Sequence, residues 1–217
     1  MSTITKLLPG KSTGYFAATQ SVALNDYVVF NGVTDGNLAD YRDYGIHRTI
    51  SLTSTDNLSG VTFVIIGTSN GVTVTENVTG PNNTTVYSAK AYDTITTIQS
   101  TIAGSTNLSV GSGTTTVIPY VFGDRSHASF SSVQDSFGVN IVNPDTVTID
   151  IYGSYKVLVA GEILAALSAG FNGCFSIHSG VATSYRMTSA ETRGLQSLFF
   201  IVTSSGADLM YFDIFTA

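Results

Sequence analysis

Residues 72–79 of this chain read VTVTENVT, and turn-forming pairs flank them, Asn70-Gly71 before and Gly80-Pro81 after. Alternation of apolar and polar residues with a period of two places one set of side chains on each face of an extended strand. Asn and Gly accept the positive φ that tight turns require. The stretch therefore predicts a half-buried antiparallel strand that ends in a turn on both sides.

The same rhythm continues on both sides of this strand, from about residue 46 to 116. Ile50 and Leu52 alternate with Thr and Ser, and residues 61–67 form an apolar, largely β-branched run. Gly111-Ser112-Gly113 is interpreted as a closing hairpin turn. Period-two patterning with a turn about every 8–12 residues is typical of a small antiparallel sandwich. Further inward-facing positions are predicted at Val86, Tyr92, Ile95, Ile98, Ile102, Leu108 and Val110.

The composition agrees with an all-β protein. The 217 residues include 30 Thr, 26 Ser and 21 Gly, while only 11% are charged and 43% are hydrophobic. That hydrophobic content is too high for a disordered chain. The chain has only nine Lys and Arg residues, and its net charge is −6. Direct binding of nucleic acid is therefore not expected, because it requires clustered cations. Between residues 49 and 119 the charged residues are Asp56, Glu76, Lys90 and Asp93.

Cysteine usage and hydropathy indicate a soluble protein that folds in a reducing compartment. The single cysteine, Cys174, excludes an intrachain disulfide and a Cys-based zinc cluster, and its aromatic neighbours predict a buried thiol. The first twenty residues lack the apolar core of a secretory signal. The longest apolar run, residues 157–167, is too short to span a bilayer and contains Glu162, so no membrane partner is expected.

The two ends of the chain differ from the middle. Residues 1–45 are rich in turn signals and poor in apolar residues, apart from a strand predicted over 22–30. Such a segment predicts either a mobile terminus or an N-terminal arm that orders against a partner. In residues 117–217, the segments 155–167 and 209–215 are apolar on both faces when read as strands. Strands of that kind imply a second buried surface, of which a subunit interface is the simplest source. A helix over 157–169 is the alternative, because Ala165-Ala166-Leu167 favours a helix.

No catalytic, cofactor or metal site is predicted. Gly10-Lys11-Ser12-Thr13 lacks the upstream glycine of a phosphate-binding loop, since Thr5 stands at that position. The other candidate nucleophiles do not lie in a Gly-x-Ser-x-Gly motif, which would mark the catalytic serine of an α/β-hydrolase. The candidate acidic ligands of a cation do not have the spacing of a calcium-binding loop. Those candidates are Asp124, Ser126, His127 and Ser129 for a triad, His47 and His178 as further histidines, and Asp145 and Asp150 as cation ligands.

Two parts of the chain resemble modules of known protein families. Residues 48–54 (RTISLTS), 60–68 (GVTFVIIGT) and 71–82 (GVTVTENVTGPN) resemble an immunoglobulin-like module of tailed-phage virion proteins, and residues 90–98 and 108–111 match its remaining rhythm. The usual acidic residues after the Ile66-Gly67-Thr68 turn are missing. Residues 149–157 (IDIYGSYKV) are similar to the Gly-x-Tyr strand of trimeric TNF/C1q-like jelly rolls.

These resemblances imply an N-terminal arm (1–45), an Ig-like sandwich (46–116) and a jelly-roll-like trimerisation domain (117–217). The implied function is a non-enzymatic cement protein, made in the host cytoplasm, that binds the major capsid protein on the outer virion surface as a homotrimer. The alternative is a tail or neck protein, or a fibre protein that binds host glycan through Tyr41, Tyr44, Tyr185 and Arg186. Expected subunit-interface residues are Tyr155, Leu158, Leu164, Phe199, Tyr211 and Phe212, and expected capsid contacts are Lys6, Lys11, Tyr15 and Phe16.

Overall fold

The computed structural model describes residues 2–8, 12–31, 46–121, 137–142, 147–154, 159–168, 174–181, 185–187, 195, 197–204 and 210–216. These residues form antiparallel β-sheets with one short helix, so the predicted all-β class is confirmed. None of the described helices is long and apolar enough to cross a membrane. The strands are β1 (Ser2–Leu8), β2 (Ser12–Val22), β3 (His47–Asn57), β4 (Thr62–Ser69), β5 (Val72–Thr79), β6 (Asn82–Tyr87), β7 (Thr94–Thr101), β8 (Ser105–Val121), β9 (Phe137–Val142), β10 (Val147–Ser154), β11 (Phe175–Val181), β12 (Tyr185–Met187), β13 (Ser197–Ser204) and β14 (Met210–Thr216); a 3₁₀ turn (Ala160–Glu162) leads into α1 (Ile163–Ser168).

The main sheet has the strand order β11-β10-β13-β8-β3-β6, with β2 also paired to β8. This arrangement is possible because β8 is 17 residues long. One edge of β8 pairs first with β2, near Ser105, and then with β13, near Val121, while its other edge pairs with β3. A single strand therefore connects elements from the start, middle and end of the chain.

A three-stranded sheet, β5-β4-β7, packs against the main sheet. In β4, Phe63 and Ile65 are buried and their neighbours are half-buried, as period-two alternation requires. In β5, Val74 and Val78 enter the same core. The turn before β5 has positive φ at Asn70 (51°) and Gly71 (76°), so the strand and turn predicted from VTVTENVT are confirmed.

The described part of residues 1–45 does not form a separate arm. β1 pairs with the C-terminal strand β14, and β2 pairs with β8. Phe16, Ala17, Val22 and Val28 are buried in the common core, so these few apolar residues complete a core that other strands build. The possible strand over 22–30 is not formed, because β2 ends at Val22 and a turn follows. Residues 32–45 lie outside the described part.

The predicted boundary between residues 116 and 117 falls inside β8. Ile118 and Ile151, from beyond that boundary, belong to the same core cluster as Ile50. Gly111-Ser112-Gly113 also lies within β8, so its interpretation as a hairpin turn is wrong. Gly113 has a packing role instead, because a Cβ there would lie 2.2 Å from Oγ1 of Thr49.

The segment 155–167 does not form the expected strand in its described part. Residues 160–162 form the 3₁₀ turn and residues 163–168 form α1, so the helical alternative is correct there. Leu and Ala are good helix formers, and the buried Ala160 and Ile163 pack against Phe199 of the main sheet. The C-terminal strand predicted over 209–215 is present as β14.

Candidate functional site

The predicted interface residues with described side chains pack within the chain. Phe199 is fully buried in a second apolar cluster with Val117 and Ile163, and Leu164 of α1 is half-buried at the edge of that cluster. Among the predicted capsid contacts, Phe16 is fully buried in the main core. Phe16 and Phe199 therefore fill the interior of one chain and present no surface to a partner in this conformation.

For the remaining predicted interface and capsid-contact residues the structure gives at most the position of the backbone. Strand pairing places Lys6 opposite Phe212 and Leu7 opposite Tyr211, and Tyr15 lies in β2. Their side chains lie outside the described part, and their assignments stay predictions. The residues wholly outside it are Lys11, Tyr41, Tyr44, Asp124, Ser126, His127, Ser129, Asp145, Tyr155 and Leu158.

The structure brings polar side chains together at one end of the three-stranded sheet, where residues 47–48, 68–70, 76, 90–93 and 160–162 meet; we call this cluster the polar joint. Asp93 is buried at its centre. Its carboxylate accepts hydrogen bonds from the Thr68 hydroxyl and, at 2.6 Å, from the Asn70 backbone N–H. Nε2 of the buried His47 lies 3.7 Å from Oδ2 of Asp93. The carboxylate thus fixes the turn between β4 and β5.

Arg48 is a second buried charged residue of the polar joint, with 2% of its surface exposed. Its Nε and Nη2 both donate to the carbonyl oxygen of Gly113, at 3.1 and 2.9 Å. Its backbone N–H and carbonyl pair with those of Tyr92, at 2.8 and 2.9 Å. Arg48 therefore connects β3 both to β8 and to the segment that precedes β7.

Glu76 and Lys90 extend the polar joint toward the helical segment. The Glu76 carboxylate accepts hydrogen bonds from the backbone N–H groups of Ala89 (2.6 Å) and Lys90 (3.0 Å) and from the Tyr92 hydroxyl (3.2 Å). Lys90 Nζ donates to the Thr75 carbonyl and to the Glu162 carboxylate, each at 2.9 Å. Burial raises the pKa of the Tyr92 hydroxyl, and the negative charges of Glu76 and Glu162 raise it further.

Gly161 seats the 3₁₀ turn directly on the polar joint. Its N–H donates to Oγ of Ser69 at 2.8 Å, and its carbonyl accepts from the Ala91 N–H at 3.0 Å. A Cβ at this position would lie 2.4 Å from the Ala91 carbonyl oxygen and 2.8 Å from Cβ of Ser69. Only glycine allows this close approach.

The contacts of the polar joint hold elements of the fold together. The hydroxyl group that donates a hydrogen bond to Asp93 belongs to Thr68. The side chains of His47 and Asp93 are too deeply buried for a substrate to reach them. Asp150, considered above as a cation ligand, instead accepts hydrogen bonds from Ser179 Oγ (2.7 Å) and the Gly180 N–H (2.9 Å). Within the described ranges, no three His, Cys, Asp or Glu side chains are grouped as metal ligands.

Sequence reasoning did not identify the polar joint, although a signal was present. Glu76, Lys90 and Asp93 are three of the four charged residues between positions 49 and 119. Charges that are rare in an apolar stretch are expected to have specific partners once the chain folds.

The prediction for Ile102 was wrong: it was expected to face inward, and 73% of its surface is exposed.

No protein family, curated protein or solved structure matches this chain. The resemblance to phage virion modules consequently depends on the quoted residues alone.

Proposed function

We propose that this chain is a non-enzymatic structural protein of a tailed-phage virion, which binds the major capsid protein on the outer surface as a homotrimer and stabilises the head. The observation that carries the proposal is the polar joint. Its charged side chains bind the protein's own backbone and each other, as in the contacts of Glu76, Lys90 and Asp93. Charges used in this way hold elements together and leave adhesion to the uncharged surface.

The composition and the resemblances support an adhesive role. Interface cores are depleted in charged residues, and only 11% of this chain is charged. An all-β frame whose main core is shared by strands from the start, middle and end of the chain supplies a stable body for such contacts. Closed cyclic symmetry is usual for homo-oligomers, and the Gly-x-Tyr resemblance favours three subunits.

The oligomeric state is the first test. Size-exclusion chromatography with light scattering on the full chain should give a mass three times the 22.8 kDa of one subunit. A monodisperse monomer at micromolar concentration would contradict the trimer.

The location on the particle is the second test. An antibody raised against the purified chain should label the capsid faces of intact virions in electron micrographs. Label confined to the tail or neck would favour the alternative role, and the absence of label from particles would refute a virion function.

A further inference from the structure

Exposed apolar side chains are concentrated at one end of the three-stranded sheet, opposite the polar joint. Among the described residues, six large hydrophobic side chains are exposed, and four of them lie in residues 24–29 and in the turn after β7. We call these four the tip patch: Leu24 (53% exposed), Tyr27 (52%), Val29 (62%) and Ile102 (73%).

Backbone hydrogen bonds hold the tip patch in place. Residues 25–28 run along the outer edge of β7, where the Asn25 N–H donates to the Ser100 carbonyl (2.8 Å) and the Val28 N–H to the Ile98 carbonyl (2.9 Å). Val28 is buried, so its neighbours Tyr27 and Val29 point outward. Ile102 directly follows β7, and a Cβ built on Gly104, two residues later, would lie 3.4 Å from the Leu24 nitrogen.

The side chain of Gln20 fixes the far end of the patch. Its Nε2 donates to the Val29 carbonyl at 2.7 Å, and its Oε1 accepts from the Val29 N–H at 2.9 Å. One amide side chain therefore satisfies both backbone groups of Val29. The apolar surface is ordered before any partner arrives, which lowers the entropy lost on binding.

The side chain of Ile102 lies outside the core, and its backbone conformation is unfavourable for isoleucine. Its φ of 73° lies in the left-handed region, which β-branched residues rarely adopt and which Gly or Asn would occupy with less strain. Its side chain is the most exposed of the six large hydrophobic ones. Strained residues persist mainly at functional positions, and an exposed strained isoleucine points to a binding anchor.

The charges around the patch define the partner. Asp26 is exposed within it. Asp56, in β3, lies across β8 from the buried Val22, which precedes the patch by two positions, and its carboxylate accepts a hydrogen bond from Asn107 Nδ2 at 2.9 Å. The described cationic side chains, Arg48 and Lys90, belong to the polar joint, about 20 Å away along β4. Among the described side chains, the charged neighbours of the tip patch are therefore acidic.

We propose that the tip patch docks on a protein surface that presents an apolar pocket bordered by Lys or Arg side chains. A second copy of this chain fits poorly, because pairing two patches would bring like charges of Asp26 and Asp56 together. The inference deepens the proposed adhesive role and rests on it for its biological setting.

The test uses the full chain as bait for a random-peptide display library, with counter-selection against Ile102→Asn. Selected peptides should be enriched in apolar residues and in Lys or Arg, and their affinity should fall with added salt and in the double variant Asp26→Asn/Asp56→Asn. Ile102→Asn should weaken binding about tenfold or more, while its melting temperature should rise by about 2–4 °C because the strain is relieved. Val72→Asn, at the opposite end of the sheet, is the matched control and should bind as the wild type does.

Three results would overturn the proposal. These are peptides that bind Ile102→Asn and Tyr27→Ser as well as the wild type, selected peptides without net positive charge, or a subunit association that Ile102→Asn abolishes. Labelling of virions is independent of this test. If peptides of the expected kind are selected but the antibody does not label virions, the virion role is rejected and the docking surface is kept. If the antibody labels virions but no such peptides are selected, the docking surface alone is rejected.

Discussion

At the scale of single residues, Tyr92 shows how burial and charge act on one group. Its side chain is fully buried and donates a hydrogen bond to Glu76, so its pKa lies above the ordinary value of 10.0. In the unfolded chain the hydroxyl ionises near pH 10. Because the folded state resists that ionisation, Tyr92 contributes its full stability below pH 10 and loses it progressively as the pH rises above 10.

Tyr92→Phe should therefore change the alkaline limb of the stability curve. The free energy of unfolding of the wild type should fall above pH 10, and the variant should fall less steeply, by up to about 1.4 kcal/mol per pH unit. At pH 8 the variant should be less stable by about 1–2 kcal/mol, because the hydrogen bond to a charged acceptor is lost. Urea unfolding at several pH values measures both effects. Tyr87→Phe, at a position that is 40% exposed, is the control for the loss of a hydroxyl and should cost less stability at pH 8. Equal alkaline slopes for the wild type and Tyr92→Phe would contradict the prediction.

Alternation in the sequence predicted the inward side chains well wherever a strand continues. Ile98, Leu108 and Val110 are buried as expected, because period two fixes the face of each residue in a strand. Ile102 was misassigned because β7 ends at Thr101 and the chain turns, so the alternation carries no further information. The partners of buried charges could not be predicted either, since they come from strands far apart in the chain.

At the scale of secondary-structure elements, the 3₁₀ turn and α1 depend on Gly161. A methyl group there would meet the Ala91 backbone carbonyl at 2.4 Å, and backbone cannot yield as a flexible side chain can. Gly161→Ala should lower the free energy of unfolding by about 1–3 kcal/mol. The matched control is Gly60→Ala, where a Cβ meets nothing within 4 Å and the change should stay within about 0.5 kcal/mol. Equal stability of the two variants in urea unfolding would show that the turn is not seated as described.

This segment also shows what the sequence could not decide. Residues 157–167 are apolar apart from Glu162, so their periodicity does not distinguish a strand from a helix. The close contact of Gly161 with Ser69 and Ala91 resolves the ambiguity, and it involves residues about 70–90 positions earlier in the chain. Such contacts leave no local pattern, whereas the turn at Asn70-Gly71 was predictable because its signal is local.

At the scale of the whole molecule, β8 makes one body of segments that differ in composition. The change from Thr-rich to aromatic sequence near residue 117 suggested two domains, but it falls within a single strand. The difference reflects the neighbours of β8 instead. Its first half lies beside β2, and its second half pairs with the apolar strand β13, which is buried from Ser197 to Val202.

Shared pairing and a shared core predict that the chain unfolds in one step. Ile65, on the N-terminal side of the former boundary, and Ile151, on its C-terminal side, are both fully buried in the same cluster. Truncation of either to Ala should cost about 2–5 kcal/mol. In scanning calorimetry at equal protein concentration, each variant should shift the same single transition to lower temperature. If residues 46–116 and 117–217 were independent domains, the trace would split, Ile65→Ala would move only one of two peaks, and Ile151→Ala would move only the other.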